Sequence, residues 1–300
     1  MPTSRLVAIF QRHARELALI EERSEASVVR CPICLVVFGV DALKEEKLSL
    51  EHPISRKVGG RMVTITCRSC NNEQGSKFDK HVVEAAKSRD ALAGYGNVRS
   101  SVSIGSAKFE ADLAWKSDPA DTNVITVISK ASHPNQVQAA MDHLRSGERE
   151  VKLSISLGHN PNKLSLGVMR AAYLGLFIHY GYAYAQSPSV EVVRRQITGE
   201  DAPSPYLEKI VLQIPTPPVT LRYGFIDLDL QPSVGKPVYL VLVQSRKKLT
   251  TTYGVLLPHA GPSEDGLLKK LAAVSDELKG RIFSVRLNLG KDLGAIDCPF

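Results

Sequence analysis

Four of the chain's five cysteines stand in two Cys-x-x-Cys pairs, Cys31 with Cys34 and Cys67 with Cys70. Each pair can present two thiolates from a tight turn, and two such pairs supply the four sulfur ligands of a tetrahedral zinc site. The spacing therefore predicts one structural zinc held by Cys31, Cys34, Cys67 and Cys70. Residues of different chemistry lie between and just after the pairs: Glu51 and His52 at the end of a short apolar run, a Gly59-Gly60 turn, and Asn71 directly behind the last cysteine. Arg56, Lys57, Arg61 and Arg68 fall between His52 and Glu73 with no acidic residue among them, a run suited to contacting phosphates.

The order CPIC, LSLEHPISRKVGG, TCRSCNNEQGSKFDKH resembles the HNH (ββα-metal) endonucleases, in the subgroup whose hairpin and helix are held together by a zinc on four cysteines. The resemblance spans about residues 28–92. It implies that Glu51 and Asn71 are ligands of a catalytic magnesium or manganese ion, that His52 is the general base, and that nucleic acid, DNA in particular, is the substrate. The implied chemistry is coherent. Phosphodiester hydrolysis needs a base to deprotonate water and a cation to stabilise developing charge, and oxygen donors suit magnesium or manganese better than zinc. The family's middle Asn falls near Met62 or Val63 in this chain, which keeps open an alternative: a zinc-stabilised nucleic-acid-binding or adaptor protein that has lost cleavage.

The elements that must position these residues follow from periodicity. Leu6, Phe10, His13, Leu17 and Ile20 recur at spacings of four and three, predicting a helix over residues 3–26 that packs on the zinc module or dimerises. His13 on that stripe reads as a core histidine. Residues 35–38 read as a short strand, 44–47 as a charged turn, 48–51 and 62–66 as the two strands of a hairpin, and 71–92 as a helix with Phe78, Val82 and Ala85 inward. His81, about 80° away from Asn71 around that helix, is not expected to be a ligand. Gly94 to Gly96 mark a boundary, giving a helix at 1–27, the HNH-like module at 28–95 and a larger domain at 96–300.

That larger domain reads as α+β with a mostly antiparallel sheet. Strands are expected at 98–104, 108–115, 124–128, 150–157, 207–214, 220–228, 238–244, 251–257 and 283–289, and helices at 135–144, 163–183 and 265–278. Tyr173, Phe177, Tyr180, Tyr182 and Tyr184 in the long apolar helix are expected in the core rather than on a base-stacking surface. Arg194-Arg195 and Arg246, Lys247 and Lys248 could extend a nucleic-acid track. The domain carries no catalytic signature, and its expected role is selection of substrate, partner or ligand.

The chain has 300 residues, 43% hydrophobic and 23% charged, with a net charge of +7. This is ordinary globular composition with material for a sizeable core. Cys298 alone remains beyond the two pairs, so no disulfide framework is available, and a reducing, cytoplasmic setting is expected. No uncharged apolar stretch reaches membrane-spanning length, so no membrane partner is expected, whereas a homodimer or protein partner could use the first helix or the last domain.

Overall fold

The computed structural model describes residues 3–117, 123–129, 134–214, 223–228 and 238–278. Helix α1 (Ser4–Ile20) starts on Thr3, whose hydroxyl accepts the amide of Leu6 at 3.3 Å, a helix N-cap. Strands β1 (Val28–Arg30) and β2 (Val37–Gly39) flank the first cysteine pair as an antiparallel hairpin, followed by the short helix α2 (Asp41–Lys44). Strands β3 (Leu48–Glu51) and β4 (Thr64–Cys67) form the second hairpin, and helix α3 (Arg68–Gln74) leaves β4 directly. A π-helical turn, Gly75–Asp79, carries α3 into α4 (Lys80–Leu92).

Two four-stranded antiparallel sheets follow. The first runs β7-β6-β5-β8, from β5 (Asn97–Ile104), β6 (Ala107–Ser117), β7 (Asn123–Ser129) and β8 (Val151–Ile155), with helix α5 (Pro134–Arg145) before β8. Alternation in β5 places Val98, Ser100, Val102 and Ile104 inward, in a core with Phe109, Leu113 and Ala140. Next come the helices α6 (Pro161–Ala185), α7 (Pro188–Thr198) and α8 (Leu207–Ile210). The second sheet runs β10-β11-β12-β9, from β9 (Val211–Ile214), β10 (Tyr223–Leu228), β11 (Val238–Arg246) and β12 (Thr250–Pro258), and helix α9 (Leu267–Leu278) ends the described chain.

The fold is thus α+β, with two antiparallel sheets in place of the single one expected. The strand expected at 207–214 begins as the helical turn α8. β1 and α7 were not expected, although Pro188 at the first turn and Gly199, left-handed at φ 81°, are start and stop signals for α7. The strand expected at 283–289 lies outside the described residues.

The chain divides into two compact units. One takes its described residues from Met1–Val82, Asn160–Arg246 and Thr250–Phe300; the other takes them from Val83–His159 and Lys247–Leu249. The boundary expected at Gly94–Gly96 falls inside the second unit. Gly94, at φ 87° with its amide on the carbonyl of Ala91, turns the chain out of α4 rather than opening a linker.

In the first unit α1 lies on the hairpins, with Leu6, Phe10 and Ala14 packed among Val29, Leu48 and Ile65. Helix α6 is its central element, touching α1, α7, α8, β9, β11 and β12. Tyr173, Phe177, Tyr182 and Tyr184 are buried as expected for core residues. Gly181 breaks the helical dihedrals (φ 63°, ψ −145°), and the Glu16 carboxylate accepts the amide of Tyr182 at 2.6 Å. A Cβ at Gly181 would coincide with that carboxylate, so the kink and its cap require glycine. No described helix is long and apolar enough to cross a membrane.

Candidate metal centre and hairpin site

The first knuckle is a tight turn. The amide of Leu35 donates to the carbonyl of Cys31 at 2.8 Å, and the amide of Cys31 donates to the carbonyl of Val36 at 2.9 Å. Leu35 takes φ 58°, a conformation a side chain rarely adopts, and turns Cys34 back beside Cys31. Cys67 forms the second knuckle by ending β4 and capping α3 at once. Its Sγ accepts the amide of Cys70 at 3.4 Å, while its own amide donates to Cys31 Sγ at 3.4 Å.

The four sulfurs lie within 4.8 Å of one another, and Cys34 Sγ is 3.8 Å from Cys67 Sγ. A tetrahedron with zinc–sulfur bonds of ~2.3 Å has edges of ~3.8 Å, so the arrangement fits such an ion. Hydrogen bonding to Cys31 lowers the thiol pKa of Cys34 and of Cys67, the latter to about 7; bonding to Cys34 raises Cys31, and bonding to Cys31 raises Cys70. Four adjacent thiolates repel one another, and a central cation lets all four lose their protons. Four cysteines this close could hold a metal ion such as zinc.

The knuckle is buttressed by α6. The Tyr173 hydroxyl donates to the carbonyl of Pro32, and the Tyr182 hydroxyl donates to the carbonyl of Arg30 at 2.7 Å while accepting the Arg30 amide at 3.0 Å. Burial raises the pKa of both phenols. Both are therefore fixed donors to the backbone around the first cysteine pair.

The cysteines sit at one end of the β3–β4 hairpin and His52 at the other. Leu48 pairs with Cys67 and Glu51 with Thr64, so the two ends are about 10 Å apart at ~3.4 Å per residue. Ser55 caps the 3₁₀ turn Arg56–Val58, and Gly59 leaves it at φ 88°. A Cβ on Gly60 would lie 1.7 Å from the carbonyl oxygen of Ile54, so only glycine fits there. Arg56, Lys57 and Arg61 are exposed on this turn. Arg68 is not with them: it lies at the cysteine end, 3.0 Å from Glu46, in a cleft of about 780 Å³ that Glu45, Glu73 and Glu200 also line.

His52 is half-buried and makes no side-chain hydrogen bond among the described residues. Burial, and then the charges of Arg56 and Arg5, hold its pKa below 6.5. Asn71 reaches the same strand from α3, its Nδ2 donating to Ser49 Oγ at 2.9 Å and to the Leu50 carbonyl at 3.1 Å. His81 accepts the amide of Asn160 on Nδ1, which is a structural use. His13 is a core histidine, stacked on Phe177 at 4.9 Å with Nε2 3.4 Å from Thr64 Oγ1.

Glu51 faces inward. It is 2% exposed, and its Oε1 lies 2.5 Å from Nη2 of the fully buried Arg170. Arg170 also meets Gln74 Oε1 at 2.7 Å and Asp79 Oδ1 at 3.2 Å. Burial pushes Glu51 up to about 7 despite Arg170, and raises Asp79 as well. A magnesium or manganese ion keeps several waters and needs room for them, and a carboxylate sealed against a guanidinium does not offer it. The resemblance implies Glu51 as a catalytic-metal ligand; as placed, Glu51 and Asn71 do not fit a hydrated divalent ion. Among the described residues, the four cysteines are the one cluster of three or more His, Cys, Asp or Glu groups able to surround a metal.

Arg170 has a sequence signal, being the one charge between Leu164 and Gln186, and a lone charge in an apolar helix must find a buried partner. Nothing local names Glu51 as that partner.

No family model, curated protein or solved structure matches the chain.

Proposed function

We propose that the chain is an HNH-type endonuclease, a phosphodiester hydrolase acting on nucleic acid, with DNA the substrate the sequence resemblance implies. The observation that carries this reading is the end of β3. There a half-buried His52 stands among the cations of Arg56 and Arg5 while Asn71 is hydrogen-bonded to the same strand. A histidine with a lowered pKa is neutral at pH 7 and can accept a proton from water. Attack of that water on phosphorus breaks the bond to the 3′ oxygen, which leaves as an alcohol after taking a proton from solvent, and His52 returns the proton it accepted to solvent. Arg56, Lys57 and Arg61 hold the flanking phosphates. The cysteine cluster, about 10 Å along the hairpin, holds zinc as a structural staple.

The Glu51–Arg170 pair favours a second reading, a zinc-stapled nucleic-acid-binding module without cleavage, because a guanidinium faces the carboxylate assigned to the catalytic metal. One experiment separates them. Zinc-loaded full-length protein is incubated with supercoiled plasmid, with and without magnesium or manganese. Nicking by wild type and none by His52→Ala supports the hydrolase; tight binding with no nicking under any divalent ion supports the binding module.

A further inference from the structure

We propose that the phosphate-facing surface is assembled from three separate chain segments, with Arg5 of α1 and Arg246 of β11 acting beside the turn cations Arg56, Lys57 and Arg61. This rests on the nucleic-acid reading above and extends it to residues far from the hairpin in sequence. Arg246 is placed by contact: a methyl group on Gly59 would lie 3.3 Å from the Arg246 carbonyl oxygen and 3.5 Å from its Cβ. The basic turn therefore rests on the last residue of β11, and Arg246 is exposed there. Arg5 is placed by α1. Its neighbour Leu6 packs in the cluster that holds Leu48 and Ile65, residues of the two strands that the basic turn connects.

None of these five cations has a carboxylate within ion-pair distance among the described residues. Some exposed cations elsewhere do have a carboxylate partner, as with Arg68 and Glu46, Arg195 and Asp201, and Lys209 and Asp276. Cations gathered without counter-charge repel one another, and a polyanion relieves that repulsion. The large exposed hydrophobic side chains, such as Leu19, Val37 and Val40, lie outside both the 52–61 turn and Arg246. A protein partner would need an apolar centre, and among the described residues none of those side chains belongs to the turn or to Arg246, whereas a phosphodiester backbone needs only the charges.

The test is binding of zinc-loaded full-length protein to a short DNA duplex and to a single-stranded RNA over a salt series. The variants are Arg5→Gln, Arg246→Ala, Arg61→Ala and, as a control outside the surface, Lys209→Ala, each checked for an unchanged unfolding midpoint. Arg5→Gln and Arg246→Ala are expected to weaken binding several-fold and to reduce the slope of log affinity against log salt by roughly 0.7–0.9 each. Lys209→Ala should change neither. The nucleic acid that wild type binds more tightly at equal salt, and that both substitutions weaken, identifies which backbone the surface takes. If Arg61→Ala weakens binding while Arg5→Gln and Arg246→Ala do not, the three-segment surface is wrong and the hairpin reading stands. If wild type binds neither nucleic acid, both fail.

Discussion

The Tyr182 hydroxyl holds both backbone groups of Arg30, accepting its amide at 3.0 Å and donating to its carbonyl at 2.7 Å across 152 residues of sequence. Arg30 immediately precedes Cys31, so a helix from the far half of the chain fixes the approach to the first cysteine pair. Tyr182→Phe keeps the ring's packing and strands two partly buried backbone groups. It is expected to cost about 1–3 kcal/mol and to speed zinc loss to a chelator. Denaturant unfolding of the zinc-loaded protein and a chelator-competition rate measure the two effects. A variant with wild-type stability and zinc release would show that α6 does not support the knuckle.

The sharing of one unit by the cysteine module and α6 predicts how truncation behaves. Residues 97–300 alone would keep Arg170 and lose Glu51, Gln74 and Asp79, its three partners. An uncompensated buried charge costs roughly 3–5 kcal/mol, and the face of α6 that packs on α1 would be open to water. This fragment is expected to be insoluble, and Cys67→Ser is expected to lower the stability of the whole first unit rather than of its first 82 residues. Expression of the fragment and limited proteolysis of the variant check both. A soluble, cooperatively folding 97–300 fragment would overturn the shared-core reading.

What was legible in the sequence was local. Two Cys-x-x-Cys pairs, the alternation of 48–51 and the stripe of α1 each act over a few residues, so spacing carries them. The apolar helix was legible too, with Tyr173, Phe177, Tyr182 and Tyr184 as core, although Tyr180 is only half-buried. What spacing could not carry is partnership across 100 or more residues: Arg170 with Glu51, Glu16 with the kink at Gly181, Tyr182 with Arg30. Glu51 shows the difference most sharply. Its neighbours in sequence suit a metal ligand, while its neighbour in space is a buried guanidinium. The four basic residues also read as one run, yet the hairpin sends Arg68 to the acidic cleft and the other three to the His52 end.

Glu51 gives stability a pH dependence of unusual sign. Its pKa rises from 4.5 to about 7 on folding, so between those values the folded chain binds more protons than the unfolded chain. Stability then falls as pH rises through this window, by up to about 3 kcal/mol for this group. Asp79, also raised by burial, adds in the same direction. Glu51→Gln keeps the shape and cannot ionise, so it should flatten the decline between pH 5 and 7 without abolishing it. Unfolding free energies of both proteins at pH 5, 6, 7 and 8 are the measurement. A wild-type stability that climbs over this range would mean that Arg170 holds Glu51 ionised throughout.

His52 separates cleavage from binding. Burial and the adjacent cations of Arg56 and Arg5 disfavour imidazolium, which places its pKa below 6.5 and leaves the neutral base in excess at pH 7. The nicking rate should therefore rise with pH through a midpoint below 6.5 and be flat from 7 to 8. Replacing Arg56 with Gln removes a charge that opposes protonation, so that midpoint should move upward. On the proposed reading the phosphate contacts come from other side chains, so His52→Ala should bind DNA with wild-type affinity and salt slope while its cleavage falls by on the order of 10²–10⁴. Paired nicking and anisotropy measurements on wild type, His52→Ala and Arg56→Gln decide the matter. If wild type cleaves and His52→Ala cleaves as fast, the base is another residue; if the midpoint is unmoved in Arg56→Gln, the group titrating in the profile is not His52.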